Sequence, residues 1–331
     1  MRKIVSNQVL ILRFCLKYLV KNTYIPILCE VNSAWFISPV IITSPYGSFS
    51  GPETMVCMDR LSFVILTWNS EQTIGNCLGR IAAVCGGQEI DHEVFVVDNG
   101  SSDSTVRIIE ENAARMPIEL IRLPKNRGTT RTRNAAFRKC RGDIICVMDS
   151  DAALLDGDLR ALLKTLRGNL SIGILAPKLL FSDGTVQNSV RRFPSMIGKF
   201  RKIPAIVFRR RVPEDNSYPG FPFSVVTEVD YAISACWFFR RDLLDAVGYL
   251  DERIFYSPED VDFCIRTWKA GWKVVFYPNF TVLHHVQQIT HRNFLSRIAA
   301  SHLLGLLYYF LKHRYFRNPR IPGCADQSGT R

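Results

Sequence analysis

No stretch of this chain approaches the ~20 consecutive apolar residues that a membrane-spanning helix needs. The longest candidates are 9–20 (VLILRFCLKYLV), broken by Arg13 and Lys17, and 303–311 (LLGLLYYFL), about half the required length. The chain therefore does not read as a polytopic membrane protein. None of its ten cysteines forms a CxxC pair, which sets aside a zinc ribbon or a thioredoxin-type site. Several cysteines sit inside apolar patterns, as buried thiols do in a reducing compartment, so the protein reads as intracellular. There is no internal repeat and no low-complexity tract. Acid is scarce: 30 Asp+Glu stand against 42 Lys+Arg, a formal charge of +12. That balance favours an anionic partner, whether nucleic acid, a phosphorylated substrate or an anionic membrane face. With 47% hydrophobic residues in 331, the chain can build a core and is not disordered throughout.

The first 58 residues show no alternation of strand and helix signals. Met1-Arg2-Lys3 before an apolar stretch looks like a signal peptide, but cations inside the apolar part do not fit one. Arg13 and Lys17 would share one face of a short helix, as in a membrane-surface segment. The plainer reading of 1–58 is a poorly ordered extension, or a start placed too early, with Met55 and Met58 as alternatives.

From Leu61 the texture changes. Strands are predicted at 61–67 (LSFVILT), 93–98 (EVFVVD), 118–123 (IELIRL) and 143–149 (DIICVMD). Helices are predicted at 71–85, 103–115 and 129–140, the first with Ile74, Leu78, Ile81 and Cys85 on one stripe. Such alternation means βαβ units and a mostly parallel sheet with helices on its faces. Ligands bind outside the carboxyl ends of strands in these sheets. The informative residues are then Thr67-Trp68-Asn69, Asp98-Asn99-Gly100 and Asp149-Ser150-Asp151. Further strands are expected at 172–181, 226–231, 235–240 and 272–277, with a turn at Ser182-Asp183-Gly184 and a long loop over 191–223. Helices are expected from Pro258 to about Ala270 and over 291–315.

Two carboxylates one residue apart, as in Asp149-Ser150-Asp151, can share a Mg²⁺ or Mn²⁺ ion with phosphate oxygens. Acids there can equally cap a following helix. Asp98 could contact a nucleotide base or ribose, while Asn99-Gly100 makes a turn and Ser102 or Asp103 caps the next helix. Residues 122–141 hold eight Lys+Arg and no acid, a cluster able to neutralise a diphosphate. Within it Arg127-Gly128 opens a helix whose free N–H groups could bind phosphate. The site lacks GxGxxG and GxxxxGK[ST], which disfavours NAD-type and Walker-type binding. Ser257-Pro258-Glu259-Asp260 reads as a helix start, with Ser as N-cap and Pro at N1. It also reads as clustered carboxylates able to supply a general base. His284-His285 could complete a metal site or relay protons.

Together these segments resemble glycosyltransferase family 2, GT-A fold, especially its rhamnosyltransferase-like members. The matching stretches are LSFVILTWNS (61–70), VFVVDNGSSDST (94–105), NRGTTRTRNAAF (126–137), IICVMDSDA (144–152), VDYAISACWFFRRDLLDAVGYLDERIF (229–255) and PEDVDFCIRTWKAGWKVVFYPNFTVLHH (258–285). The resemblance implies an α/β, Rossmann-like nucleotide-diphospho-sugar transferase fold, with a mixed, mainly parallel sheet flanked by helices. It implies a catalytic domain at 59–290, divided into a nucleotide-binding half (59–155) and an acceptor half (156–290). A C-terminal amphipathic helix (291–316) and a tail (317–331) follow.

Residue by residue, the resemblance implies nucleotide-sugar contacts by Thr67, Asn69, Asp98, Arg133, Asn134 and Asp149. It implies a metal site at Asp149, Asp151 and His284, and a catalytic base at Asp260 with Glu259 beside it. The implied reaction is inverting transfer from a nucleoside-diphosphate sugar to a saccharide acceptor, with a divalent cation at the leaving group. The third motif departs from the family, since Thr-Thr-Arg-Thr-Arg replaces a Gly- and Asn-rich run, which leaves the donor sugar open. Lys199, Arg201, Lys202, Arg209, Arg210 and Arg211 flank an apolar Ile203–Phe208 stretch, and Lys312, Arg314, Arg317 and Arg320 follow the apolar 303–311 run, which suits an anionic membrane surface and a lipid-linked acceptor in polysaccharide assembly. The expected location is cytoplasmic, peripheral to the inner membrane face. Two rival readings are nucleotidyl transfer, which also uses carboxylates and a metal, and a basic nucleic-acid-binding protein. No helix-turn-helix or RNA-type aromatic signature supports the second, so no nucleic-acid partner is expected.

Overall fold

The computed structural model describes residues 60–199, 216–285 and 297–314, with two strands nearer the N-terminus. The chain divides into two compact units, Met1–Met55 and Val56–Arg331. In the first, β1 (Leu28–Val31) and β2 (Ala34–Ile37) pair antiparallel. The rest of the expected N-terminal extension, the basic segment at 200–215 and the tail beyond Arg314 lie outside the described residues.

The second unit opens with β3 (Leu61–Thr67), α1 (Ile74–Gly87), β4 (His92–Asp98), α2 (Thr105–Ala113), β5 (Ile118–Arg122), α3 (Thr129–Phe137) and β6 (Ile144–Asp149). These seven elements fall where the alternation predicts them. The four strands run parallel in the order β6-β3-β4-β5. Both faces are covered, so the strands are apolar on both sides. Phe63, Ile65, Val94 and Val96 pack with Ile74, Leu78 and Ile81 of α1 on one face. Val64, Phe95 and Val97 join Ala136 and Phe137 of α3 on the other. Thr67 is in register with Asp98, and Leu66 with Asp149. Three strand ends are therefore level, and the loops after them open along one edge.

There follow β7 (Ala152–Gly157), α4 (Leu159–Gly168), β8 (Ile172–Leu180), β9 (Val190–Arg191), β10 (Thr227–Glu228), β11 (Tyr231–Ala232) and β12 (Cys236–Arg240). The chain continues through α5 (Asp242–Val247), α6 (Glu259–Lys269), β13 (Lys273–His284) and α7 (Arg297–His313). The sheet reads β10-β13-β8-β12-β6-β3-β4-β5, with β7 paired to β13 as its ninth strand. β12 lies antiparallel between β6 and β8, which makes the sheet mixed. No helix among the described residues is long and apolar enough to cross a membrane.

Three expectations are corrected. β7 was not anticipated. β13 runs twelve residues to His284 rather than stopping at 277, because a register shift between Tyr277 and Thr281 absorbs Pro278. Ser257 is not the cap of α6: the N-cap is Pro258, whose carbonyl accepts from Asp262 N–H at 3.1 Å. Asp260 Oδ1 accepts from Val261 N–H at 2.8 Å, so an acid of the first turn takes over part of the expected capping.

Candidate active site

Asp149 ends β6, and Ser150-Asp151 forms the step to β7. The return of β13 along β7 pairs His284 with Ala152, and His285 N–H donates to the Asp151 carbonyl at 2.9 Å. Strand pairing therefore carries a histidine 133 positions away in sequence to the acidic triplet. Asp149, Asp151 and His284 each offer a ligand atom, all within 4.8 Å of one another. His284 Nδ1 lies 2.9 Å from Gln187 Oε1, which can only accept, so that nitrogen carries the proton. Nε2 is left facing Asp151 Oδ1 at 3.5 Å. Burial pushes the Asp149 carboxyl up against the pull of Arg133. Burial opposes charge on His284, but the hydrogen bond and charge of Asp151 outweigh it and raise its pKa. A compact N/O donor set of two carboxylates and an imidazole fits a divalent cation.

Behind this triad lies Arg133 of α3, only 1% exposed. Its Nη2 donates to Asp149 Oδ1 at 2.5 Å and to the Ser234 carbonyl at 3.1 Å. Its Nη1 donates to Ser234 Oγ at 2.8 Å and to Glu259 Oε1 at 3.4 Å. One planar guanidinium thus ties the strand-end acids to the first turn of α6. Burial, then the neighbouring Asp260, pushes Glu259 up to about 8. Burial pushes Asp260 up to about 6, held there by the Val261 N–H and Arg133. Asp260 is the less buried of the two. All five acids and bases line one cavity of about 510 Å³, rimmed by the exposed aromatics Trp68, Phe181, Phe255 and Tyr256. That size suits a nucleotide sugar.

The predicted nucleotide residues separate into groups. Thr67 and Asp98 sit side by side at their strand ends. The Thr67 hydroxyl is buried with no hydrogen-bond partner among the described residues. Asp98 accepts from Ser101 N–H at 3.2 and 3.3 Å, so it also shapes its own turn. Asn69, at φ 50°, accepts from Ser102 N–H at 2.8 Å and links the first two loops. Asn134 turns away from the cavity, bonding both the N–H and carbonyl of Leu250, and reaching Glu252. The next helix is capped from outside by Asp103, whose Oδ1 accepts from Thr105 N–H at 3.0 Å.

Half of the one-sign cluster over 122–141 is paired with acids in space. Arg131 and Arg138 pair with Glu252, Lys139 with Glu119, and Arg133 with Asp149 and Glu259. At the start of α3, Gly128 N–H donates to Asn126 Oδ1 and Thr129 N–H to the Phe255 carbonyl. Those two groups serve the fold rather than a phosphate. Ser234 and Gln187, which orient Glu259 and His284, carried no signal in the sequence.

The profile of the family described as "Glycosyl transferase family 2" matches residues 62–248, more than half of the chain. The chain belongs to this family. It is a glycosyltransferase of GT-A fold that uses nucleotide sugars. The family 2 enzyme is 30% identical, over 67% of its length and 75% of the relative's, to the N-acetylglucosaminyl-diphospho-decaprenol L-rhamnosyltransferase of Mycobacterium tuberculosis. Among solved structures it resembles S. aureus TarS 1-349 in complex with UDP-GlcNAc, at TM-score 0.51 and 21% identity. That match covers 72% of this chain and 62% of the other, under two thirds of the solved one. The mannosyltransferase PcManGT from Pyrobaculum calidifontis, in complex with GDP-Man and Mn²⁺, matches at TM-score 0.50 and 18% identity. It covers 78% of this chain and 66% of its own. These two likenesses speak to the fold.

Proposed function

We propose that the family 2 enzyme is an inverting transferase that moves a sugar from a nucleoside-diphosphate donor to a lipid-linked saccharide, in polysaccharide or cell-wall assembly. The observation that carries this reading is the meeting of two acid sets, Asp149-Asp151-His284 and Glu259-Asp260, in one cavity. Residues 59–155 hold the donor, with Thr67, Asn69 and Asp98 at the nucleoside and Arg133 fixing Asp149. Residues 156–290 supply the acceptor side. Bound at Asp149, Asp151 and His284, Mg²⁺ or Mn²⁺ would offset the charge of the leaving diphosphate. Asp260, whose Oδ2 is free of the Val261 bond, takes the proton of the acceptor hydroxyl. The acceptor oxygen bonds to the anomeric carbon as the bond to the diphosphate oxygen breaks, and the electron pair leaves with that oxygen. Glu259, held by Ser234 and Arg133, positions the turn that carries Asp260. The described cysteines are free thiols and buried, which suits a cytoplasmic setting. The lipid-linked acceptor is supported by the name of the mycobacterial relative.

The first test is melting temperature with UDP-, GDP- and dTDP-sugars, with and without Mn²⁺. Ligands that bind the folded state raise it by mass action. A cation-dependent rise with one nucleotide is expected, and Asp151→Ala should remove it. Asp260→Asn should keep the rise and abolish transfer. Release of pyrophosphate instead of a nucleoside diphosphate would favour nucleotidyl transfer.

A further inference from the structure

Helix α7 turns one side to the protein. Gly305, Tyr309, Phe310 and His313 are buried. Gly305 comes so close to the catalytic segment that a Cβ there would stand 2.2 Å from the Ser257 carbonyl oxygen. Lys312 reaches Asp251 at 2.7 Å and Asp262 at 2.6 Å, and His313 reaches Asp262 at 2.8 Å. These bonds fix which face looks outward. That face carries Leu303, Leu304, Leu307 and Leu311, exposed by 59, 66, 49 and 76%. At 3.6 residues per turn they fall within an arc of about 100°. Scattered exposed leucines need no explanation, but an aligned stripe of four marks an interaction surface.

Charge selects the occupant. Lys312, Arg314, Arg317 and Arg320 end and follow α7, and residues 303–325 contain no Asp or Glu. Exposed Arg314 directly follows the stripe. Two copies meeting here would press one acid-free cationic segment against another. An anionic bilayer accepts both features, taking leucines into the acyl boundary and cations at the headgroups.

We propose that α7 is an interfacial helix that seats its leucine stripe in an anionic lipid surface, presenting the catalytic cavity to an acceptor carried in that surface. The purpose of this docking rests on the lipid-linked acceptor read above; the stripe and the charge do not. The inner side of α7 abuts Ser257, two and three residues before Glu259 and Asp260. One helix diameter, ~10 Å, therefore separates the lipid-facing stripe from the catalytic segment.

The test is flotation of the full chain with vesicles of phosphatidylglycerol and phosphatidylcholine, against phosphatidylcholine alone. The floated fraction should be at least tenfold larger on the anionic vesicles. The triple substitution Leu303→Ser, Leu307→Ser, Leu311→Ser should lower it tenfold with the melting temperature retained. If the triple variant does not fold, Leu311→Ser alone should lower it about threefold. Equal flotation on both vesicles, or no loss in the variants, overturns the proposal. So does a dimer, seen by light scattering without lipid, that the triple substitution dissolves. Transfer to a water-soluble acceptor analogue is measured in parallel. Flotation failing while that transfer persists rejects docking alone; the reverse rejects the transferase reading alone.

Discussion

At the scale of single residues, Arg133 decides how the site holds together. It is buried and serves Asp149 and Glu259 at once, so removing its fork leaves both acids without their buried cation. Breaking a buried ion pair from one side costs about 3–5 kcal/mol. Arg133→Lys keeps the charge but cannot reach both acids in one plane. Urea unfolding should show a loss of that order, and donor binding should weaken because Asp149 is no longer oriented. A loss below ~0.5 kcal/mol would remove Arg133 from this role. Asp260 gives the second prediction. With its pKa near 6, the acidic limb of kcat/KM should bend near that pH, and activity should rise above it as the base ionises. Glu259, pushed up by burial and by the neighbouring Asp260 and tied to Ser234 and Arg133, makes the poorer base. A limb near pH 4 would mean that the base is a carboxylate in a solvated setting. The acids were legible because each stands at a strand end or helix start within a recognisable stretch. Their partners were not: Gln187 meets His284 across 97 positions and Ser234 meets Glu259 across 25. Single polar residues at such separations leave no periodicity to read.

At the scale of elements, the parallel half was readable because each strand is a continuous apolar run and each helix has a covered stripe. The acceptor half was less so. Two residues separate β7 from β6, and only the first half of β7 is buried, which resembles a loop. β13 contains Pro278, which reads as a stop unless the bulge that absorbs it is known. Yet that extra length carries His284 to Asp151. The same scale explains Gly128, at φ +83°, where a Cβ would lie 2.2 Å from the Phe255 carbonyl oxygen. Here the turn before α3 touches the segment leading to Glu259 and Asp260. Gly128→Ala must push the two apart, and a displacement near 1 Å at a reacting centre costs about 10²-fold in rate. We expect kcat to fall by that order while the protein stays folded, with melting lowered by a few degrees. Unchanged kcat would mean that the Phe255 segment is positioned by α7 rather than by α3.

At the scale of the whole molecule, the titrating groups divide into two sets that pull stability in opposite directions. Asp251, Asp262 and Glu93 are held below the ordinary carboxylate range; burial opposes this, and hydrogen bonds outweigh it. For a depressed acid, the contribution to stability is present above the unfolded pKa and is lost as pH falls through the folded one. These groups therefore weaken the fold in acid, starting near pH 4, and the Asp262 anchor of α7 goes with them. Glu259 and Asp260 are raised by burial, to about 8 and about 6. For a raised acid, the contribution is present below the unfolded pKa and is lost as pH rises through the folded one. Their ionisation weakens the fold progressively from about pH 4.5 to 8. Stability should then peak near pH 5, below the pH at which Asp260 is ionised and transfer is fast. The two optima differ because the charge that abstracts the proton is a charge the fold resists holding. Melting temperature and kcat/KM measured over pH 4–9 without added divalent cation should show this offset. In the double variant Glu259→Gln, Asp260→Asn the loss of stability between pH 5 and 8 should flatten while the acid limb stays. If the wild-type curve is flat from pH 5 to 8, the two acids are solvated well enough to ionise at no cost to the fold, and Asp260 has no raised pKa to set the rate profile.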